Sequence, residues 1–329
     1  MEAEKLSWLL PRLKCPSCDR CELELAGDQL ACASCSARVP IVAGAIDFLN
    51  EEVRLASGLT DTENVSDHPF DGNAMTIIHK CEETGGSVLD CGSGYKAQSF
   101  AHVVQMDVVK FANVDVLAVN QQLPFADDSF DAVFSLDVLE HVNDPFRCAA
   151  EIRRVLKPGG YLYLDLPFLQ AEHGYPHHYF NATRMGADRL FADLDLLSHH
   201  VPLSGHPIFT IHQVLQMYLA GLPGEHRAAL SRMTVAEIVD RPLLDWLDHP
   251  LVTQLDVDAR WAIASTTQAL FQRSPVPGRT SNVHVSPSDL PGFPEFASRP
   301  PGGGRSDESA ERPSGQRSRE KLRSRFSRG

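Results

Sequence analysis

Four cysteines near the N-terminus have the spacing of a metal site. They form two pairs, Cys15-Pro-Ser-Cys18 and Cys32-Ala-Ser-Cys35, with thirteen residues between the pairs. Two such turns can present four thiolates in the tetrahedral arrangement that Zn²⁺ prefers, and a closed set of four leaves no position for a substrate. The spacing therefore predicts a structural zinc site. Four free or redox-active cysteines are the alternative, and Cys21 could compete as a ligand.

A second group of residues lies where a short apolar run ends. Asp90 follows Val88-Leu, and Gly92 and Gly94 come directly after it. Glycines let backbone amides approach a ligand closely, and open α/β sheets bind ligands at the carboxyl ends of their strands. The glycines alone also fit a dinucleotide site, but the Asp90 carboxylate would repel a pyrophosphate. S-adenosylmethionine suits this carboxylate, because it has no phosphate and carries an ammonium and a sulfonium.

Histidines follow the later apolar runs of the same region and are candidates for proton transfer. His141 follows one run, and His173 and His177 follow the next. Because the unperturbed pKa of histidine lies closest to neutral pH, these three residues are the predicted catalytic candidates, with His173 preferred as the general base. The alternative is a partly exposed loop whose histidines only pack and form hydrogen bonds. No two His, Asp or Glu residues here have a spacing that by itself indicates a metal.

The elements that must position these residues alternate apolar strands with helical patterns, which is typical of a parallel sheet flanked by helices. Strands are predicted at 87–90, 102–107, 114–118, 131–136 and 161–166, and helices at 73–84 and 145–156. Residues 208–273 are predicted to be mostly helical. The predicted fold class is therefore α/β, with the candidate residues at the carboxyl edge of the sheet.

Composition divides the 329-residue chain into predicted parts. They are a zinc ribbon at 1–50, a linker at 51–72, a ligand-binding core at 73–205, a helical cap or insertion at 206–273 and a disordered basic tail at 274–329. The formal net charge is −13, yet residues 299–329 hold nine Lys or Arg and four Asp or Glu, a net +5. An acidic body argues against a protein that coats nucleic acid, and we interpret the basic tail as solubilising.

The composition also bears on where the protein works. Hydrophobic residues make up 43% of the chain, and no apolar run approaches the roughly 18 residues that a membrane helix needs. The first residues lack a basic stretch followed by a long apolar one, so no secretory signal is indicated. Eight cysteines are too few for a disulfide scaffold in a chain of this size. We expect a cytoplasmic protein without a membrane span.

Four motifs occur in order through the central region. They are Val88-Leu-Asp-Cys-Gly-Ser-Gly94, Leu123-Pro-Phe-Ala-Asp-Asp-Ser-Phe-Asp131, Asp137-Val-Leu-Glu-His-Val-Asn-Asp-Pro145 and Glu151-Ile-Arg-Arg-Val-Leu-Lys-Pro-Gly-Gly160. Together they resemble the class I, type 11 S-adenosylmethionine-dependent methyltransferases, over about residues 86–168. The resemblance implies a Rossmann-like, seven-stranded methyltransferase sheet with helices on both faces, S-adenosylmethionine as cofactor, and an enzyme of class EC 2.1.1.-.

The N-terminal region has a resemblance of its own. After the second cysteine pair comes Arg38-Val-Pro-Ile-Val-Ala-Gly-Ala-Ile-Asp-Phe-Leu49. With the cysteine pairs, this run resembles the small zinc-ribbon proteins that activate methyltransferases, over residues 13–49. The resemblance implies that such a module is fused here to a larger domain.

The methyltransferase resemblance implies a set of cofactor-binding residues. They are Asp90, Gly92 and Gly94 for the methionyl part, Asp107 for the ribose hydroxyls, Asn120, Leu123 and Phe125 around the adenine, and Asp137 in the third motif. Two positions depart from the family pattern. Val119 stands where an acid usually meets the adenine amino group, so the neighbouring Asn120 would serve through its amide. Lys96 stands near the usual third glycine of the loop.

The predicted function is transfer of a methyl group to an oxygen or nitrogen nucleophile of a small molecule or glycan. Residues 167–183, with His173 at their centre, resemble methyltransferases of bacterial surface-glycan and small-molecule biosynthesis. One alternative is an RNA or protein methyltransferase that holds its substrate with the zinc ribbon and the basic tail. The other is a non-catalytic, methyltransferase-like binding module.

Overall fold

The computed structural model describes residues 3–59, 66–174 and 177–266, so the predicted basic tail lies outside the described residues. The described strands form one sheet in the order β1-β2-β3-β4-β7-β6-β5-β8-β9. Their bounds are β1 Leu23–Ala26, β2 Gln29–Cys32, β3 Arg38–Val42, β4 Ala45–Asp47, β5 Val88–Cys91, β6 Val103–Asp107, β7 Val116–Leu117, β8 Phe130–Leu136 and β9 Leu156–Asp165. The strands predicted in the central region are thus confirmed, although the last begins five residues earlier than expected.

Helices flank the sheet and continue after it. Their bounds are α1 Ala3–Leu9, α2 Glu51–Ser57, α3 Gly72–Glu83, α4 Pro145–Val155, α5 Arg184–Leu190, α6 Pro207–Ala220, α7 Gly224–Leu230, α8 Val235–Val239, α9 Pro250–Thr253 and α10 Val257–Ala262. The two predicted helices of the core begin at carboxylate caps. Asp71 accepts from the Ala74 amide at 2.7 Å, and Asp144 accepts from the Arg147 amide at 2.9 Å. Each cap satisfies a backbone donor that the first helical turn leaves unpaired.

The parallel half of the sheet, β7-β6-β5-β8-β9, is covered on both faces. Every residue of β5 and β6 is buried. Successive side chains of β5 point to opposite faces, so that Val88 packs in the cluster of Ile78 from α3, whereas Leu89 packs in the cluster of Ile152 from α4. Strands buried on both faces become continuous apolar runs, as the sequence shows here. This arrangement confirms the α/β fold class.

The N-terminal strands join the same sheet. β1 to β4 pair antiparallel, and β4 then pairs in parallel with β7 through Ile46 opposite Val116 and Asp47 opposite Leu117. A buried ion pair between Lys5 and Asp115, with 2.7 Å between Nζ and Oδ2, ties α1 to the same edge. The cysteine-bearing segment is therefore continuous with the parallel core.

The strand count differs from the expected seven. Among the described residues, the core contributes five parallel strands, and the N-terminal segment extends the sheet to nine. After Asp165 the described chain forms helices and loops rather than further strands. The predicted linker, 51–72, also contains α2, which begins where the Asn50 side chain accepts from the Val53 amide at 2.8 Å.

The segment after the sheet is mostly helical, as expected, and has its own small core. Leu222, Leu230, Leu251 and Leu255 are buried together. On α6, Tyr218 and Leu219 pack on this core, whereas Phe209 is exposed. No helix in the described part of the chain is long and apolar enough to span a membrane.

Candidate functional site

The four cysteines of the two pairs come together in space. The Sγ atoms of Cys15 and Cys35 are 3.5 Å apart, and those of Cys18 and Cys32 are 3.7 Å apart. All four sulfurs lie within 4.8 Å of one another. Zn–S bonds of about 2.3 Å in a tetrahedron place sulfurs about 3.8 Å apart, so the spacing fits the metal. Cys21 is exposed and is not in the group.

Two similar turns hold these cysteines. The Asp19 amide donates to the Cys15 carbonyl at 3.0 Å, and the Ser36 amide donates to the Cys32 carbonyl at 3.2 Å. Asp19 and Ser36 both have positive φ, 57° and 61°. Each turn thus curls the chain so that both cysteines of a pair face the same point.

The glycine loop after β5 is tightly packed against two other segments. Gly92 has φ +71°, and a Cβ there would lie 2.6 Å from Cγ2 of Val138. Gly94 has φ +59°, and a Cβ there would lie 2.9 Å from the Ser66 side chain. The Gly92 amide donates to the Met106 carbonyl at 2.9 Å, and the Gly94 amide donates to the Asp107 carboxylate at 2.7 Å. In this structure the two glycines bring chain segments together, and both amides are already used within the protein.

Asp90 lies at the carboxyl end of β5 beside an internal cation. Its side chain is 1% exposed, and Oδ2 has no hydrogen-bond partner among the described residues. The Lys96 Nζ lies 3.4 Å from that oxygen, donates to the Ser93 carbonyl, and lies 4.9 Å from the centre of the Phe70 ring. Burial raises the pKa of Asp90 to about 6, although Lys96 acts in the opposite direction. The carboxyl group is therefore paired with a cation but still has an acceptor position open.

Two further polar residues lie at the ends of β6 and β7. The Asp107 carboxylate accepts from the Gly94 amide at 2.7 Å and from the Val109 amide at 2.9 Å, and each of its oxygens has a second lone pair for a ligand hydroxyl. Asn120 is buried, and its Oδ1 has no hydrogen-bond partner among the described residues. A buried acceptor without a donor is costly, and a ligand amino group would satisfy it. Asp90, Asp107 and Asn120 together fit the polar groups of S-adenosylmethionine.

The two apolar residues predicted around the adenine have different surroundings. Leu123 lines a cleft of about 240 Å³ together with Ala118 and Val119. Phe125 is fully buried, with its ring centre 5.0 Å from that of Phe130 in an edge-to-face arrangement. The structure thus places Leu123 by a cleft near the sheet edge and Phe125 in the core.

A second cluster lies beyond β8 and combines two of the predicted histidines with an acid. Each of Glu140, His141 and His173 has one possible metal-ligand atom in the cluster, and these three atoms lie within 4.8 Å of one another. Glu140 is fully buried, and neither carboxylate oxygen has a hydrogen-bond partner among the described residues. Burial raises the pKa of Glu140 to about 8 and lowers the pKa of His141. Sequence reasoning missed Glu140, whose signal was an acid next to His141 directly after a buried strand.

Hydrogen bonds distinguish the histidines of this region. The His141 Nδ1 donates to the His177 carbonyl at 2.7 Å, which is how His177, the third predicted catalytic residue, contributes. The His177 ring stacks on the Tyr179 ring, with 5.3 Å between the ring centres. His178 accepts from the His173 amide at 3.1 Å and donates to Asn181 Oδ1 at 2.8 Å, so both of its nitrogens are used. The structure brings His141 and His173 together and leaves the His177 side chain beside them.

Asp137 directly follows β8 and precedes Glu140 and His141 in the chain. It has φ +53°, a conformation that non-glycine residues adopt rarely and often at functional sites. Burial raises its pKa, and the nearby His68, His173 and His141 oppose that rise. Asp137 therefore faces the histidines from the end of β8.

Comparison with known proteins agrees with this arrangement. Residues 89–164 match a family model described as a methyltransferase domain. This segment is therefore similar to methyltransferase domains. It contains the glycine loop, Asp107, Asn120 and the cluster residues Glu140 and His141.

Curated relatives extend the similarity beyond the domain model. An uncharacterized methyltransferase of Mycobacterium tuberculosis is 42% identical over 154 residues, which cover 41% of this chain and 58% of the relative. One from Mycobacterium leprae is 33% identical over 130 residues, which cover 32% of this chain and 48% of the relative. The chain thus spans about half the length of the curated relatives it matches.

Solved structures are similar to part of the chain. The YcgJ protein of Bacillus subtilis is 20% identical with a TM-score of 0.30, and the match covers 47% of this chain and 88% of that one. The trans-methyltransferase CalH, solved in complex with SAH, is 18% identical with a TM-score of 0.23, and the match covers 29% and 36%.

Proposed function

We propose that this protein transfers a methyl group from S-adenosylmethionine to an oxygen or nitrogen nucleophile of a small molecule or glycan. The observation that carries the proposal is the buried acid Asp90 at the end of β5, within a segment that matches a methyltransferase domain. A buried carboxylate with an open acceptor position suits a cationic ligand and disfavours a phosphate.

S-adenosylmethionine would supply an electrophilic methyl group on a positively charged sulfur. Asp90 would bind the ammonium of the methionyl part, Asp107 the ribose hydroxyls, and Asn120 Oδ1 the adenine amino group. Asp107 is held by two backbone amides before any ligand binds. Such preorganisation reduces the entropic cost of placing the reacting atoms.

The nucleophile must lose a proton when it becomes methylated. His141 and His173 each donate through Nδ1 to a backbone carbonyl, so that Nε2 of the neutral ring carries the lone pair. Either Nε2 could accept the proton of a hydroxyl or amine at the carboxyl edge of the sheet. His173 lies on a loop rather than on the sheet, because residues 172–174 and 177–178 form neither helix nor strand. Residues that contact a variable substrate commonly lie on loops.

The cysteine group completes the proposal as a structural zinc site. Cys15, Cys18, Cys32 and Cys35 would bind Zn²⁺ as four thiolates, and the free energy of metal binding would add to the stability of this short segment. Because β4 of this segment pairs with β7, the metal would also stabilise the edge of the methyltransferase sheet.

Calorimetry with S-adenosylmethionine tests the cofactor assignment. The full-length protein should bind it, and Asp90→Asn should weaken binding by at least tenfold because the ammonium loses its anionic partner. Asp28→Asn, which changes an exposed carboxylate in the turn between β1 and β2, is the matched control and should leave the affinity unchanged. Absence of binding by the unaltered protein at millimolar cofactor would refute the proposed function.

A methyl-transfer screen with labelled S-adenosylmethionine tests the acceptor. The full-length protein should label small hydroxyl or amine compounds or glycans. Label that appears only in RNA or protein would contradict the proposed acceptor class while leaving the cofactor assignment in place.

A further inference from the structure

The cluster of Glu140, His141 and His173 has the composition of a metal site. The first two residues follow β8 in a short 3₁₀ helix, and His173 reaches them from the loop after β9. Their nearest ligand atoms all lie within 4.8 Å of one another. We infer that these three side chains bind a divalent transition-metal ion, separate from the four-cysteine group.

The hydrogen bonds of both histidines leave the correct nitrogen for a metal. His141 donates from Nδ1 to the His177 carbonyl at 2.7 Å, and His173 donates from Nδ1 to the Ala171 carbonyl at 3.0 Å. Carbonyls only accept, so the proton lies on Nδ1 in each ring and the lone pair lies on Nε2. Metal-binding histidines have this same arrangement, in which a backbone carbonyl fixes the ring and its tautomer.

Glu140 supplies the negative charge and a reason for the cation. It is fully buried, yet neither carboxylate oxygen has a hydrogen-bond partner among the described residues. The His141 Nε2 is 3.7 Å from Oε1, too far for a hydrogen bond. A buried carboxyl group without partners is costly, and an ion held between it and two imidazoles would satisfy it.

The backbone holds the loop of His173 against Glu140 without help from an ion. The Tyr179 amide donates to the Glu140 carbonyl at 2.6 Å. Gly174 has φ +62°, and a Cβ there would lie 2.4 Å from Cε1 of His141, so only glycine allows this close approach. The three ligand groups are therefore positioned in advance.

The donor set indicates the kind of ion. Two imidazole nitrogens and one carboxylate oxygen suit Zn²⁺, Fe²⁺, Co²⁺ or Mn²⁺, whereas Mg²⁺ and Ca²⁺ prefer oxygen donors throughout. Three protein ligands leave coordination positions for water or a substrate oxygen. His141 and His173 are partly exposed, so those positions are open to solvent.

The site adjoins the proposed cofactor loop. Val138, two residues before Glu140, fills the space beside Gly92. With Nε2 of both histidines bound to it, an ion here would take the place of the histidine base. It would bind the hydroxyl of an acceptor and lower its pKa, so that solvent water can take the proton before the oxygen attacks. This role in catalysis rests on the proposed function, but the metal site itself does not.

Cobalt titration of the tag-free, full-length protein tests the site. With the cysteine group loaded with Zn²⁺, calorimetry should show that one equivalent of Co²⁺ binds. The absorption spectrum of the bound Co²⁺ should lack a thiolate-to-cobalt charge-transfer band. His173→Asn should weaken this binding at least tenfold, and Glu140→Gln should do the same while preserving side-chain volume. His199→Asn is the matched control, because this histidine pairs with Asp188 outside the cluster.

Three results would overturn the inference. They are no Co²⁺ binding beyond the cysteine group, a thiolate band that accompanies all bound cobalt, and an unchanged titration for either cluster variant. If Glu140 is only a neutral buried acid, its glutamine variant will bind Co²⁺ like the original protein. His173 lies on a loop, so its variant should keep the fold, and circular dichroism verifies this. Because no S-adenosylmethionine is present, failure here leaves the proposed function standing.

Discussion

At the scale of single residues, the most informative contact is that between Asp90 and Lys96. The ammonium lies 3.4 Å from the carboxylate, where the proposed cofactor would place its own ammonium. Both side chains are buried, so the pair interacts with little screening by water. Lys96 is thus an internal cation beside Asp90. A cationic ligand must either displace Lys96 or share the Asp90 carboxylate with it.

Replacement of Lys96 should therefore strengthen cofactor binding. In Lys96→Met the competing ammonium is lost while the apolar stem is retained, and we expect S-adenosylmethionine to bind about tenfold more tightly, or about 1.4 kcal/mol. The unliganded variant should unfold at a lower temperature, because Asp90 loses its cation. Calorimetry and thermal melts measure both effects, and weaker cofactor binding by this variant would show that Lys96 contacts the ligand favourably.

The raised pKa of Asp90 predicts a pH dependence of cofactor binding. Burial raises the pKa of Asp90 to about 6; Lys96 opposes that rise, and the charge of Asp107 adds to it. Only the ionised carboxylate attracts the ammonium, so affinity should rise as pH increases through about 6 and level off above 7. Below the midpoint the dissociation constant should increase by up to about tenfold per pH unit. A flat profile between pH 5 and 7.5 would contradict the assignment of Asp90.

At the scale of elements, the loop after β5 depends on how closely three segments approach. Gly92 and Gly94 lie against Val138 and Ser66, which belong to other parts of the chain. Positive φ at both positions adds a second reason for glycine. The loop therefore links the ends of β5 and β8, where the two candidate clusters lie.

Substitution of Gly92 by alanine, compared with a control glycine, separates the effect of close packing against Val138 from the effect of positive φ. Gly92→Ala would place a Cβ 2.6 Å from Val138, whereas Gly85→Ala, at φ +67°, would meet nothing within 4 Å. The control should cost only the conformational penalty of about 1 kcal/mol, and Gly92→Ala should cost about 2–4 kcal/mol because packing strain is added. Denaturant unfolding measures both, and equal losses would show that Val138 moves aside.

At the scale of the whole molecule, the cysteine-bearing segment and the segment that matches the methyltransferase model share one sheet. β4 pairs with β7, and Lys5 is buried against Asp115. Leu9 and Leu13 pack in the same cluster as Val104 and Phe130. We therefore expect the two parts to unfold together rather than as separate modules.

Removal of zinc tests that coupling. Cys15→Ser should lower the zinc content by about one equivalent per chain and lower the melting temperature of the whole protein by more than about 10 °C, because about 10–16 kcal/mol of metal binding is linked to folding. Cys21→Ser is the matched control, since that exposed cysteine is outside the group. Loss of zinc with an unchanged melt of the parallel core would show two independent units.

Much of the fold could be predicted because it depends on short-range periodicity. β5 is the short run Val-Leu-Asp-Cys at the start of the first motif. α4 begins after the capping residue Asp144, with Pro145 at its first position. The sequence analysis missed α2 because the helix is short and its apolar pattern is weak, although Asn50, Glu51 and Glu52 mark its start. Patterns of this kind identify elements but not their neighbours in space.

The sequence by itself determined the α/β class, the strands of the core and the two cysteine pairs, because each depends on residues close together in the chain. Only the tertiary structure decided that β4 extends the parallel sheet, that Phe125 packs in the core, and that His173 meets Glu140. The pairing of β4 with β7 joins residues 70 positions apart, and His173 is 33 positions from Glu140. The free energy of such contacts comes from burial and packing between segments. No local pattern records which distant segment a side chain will contact.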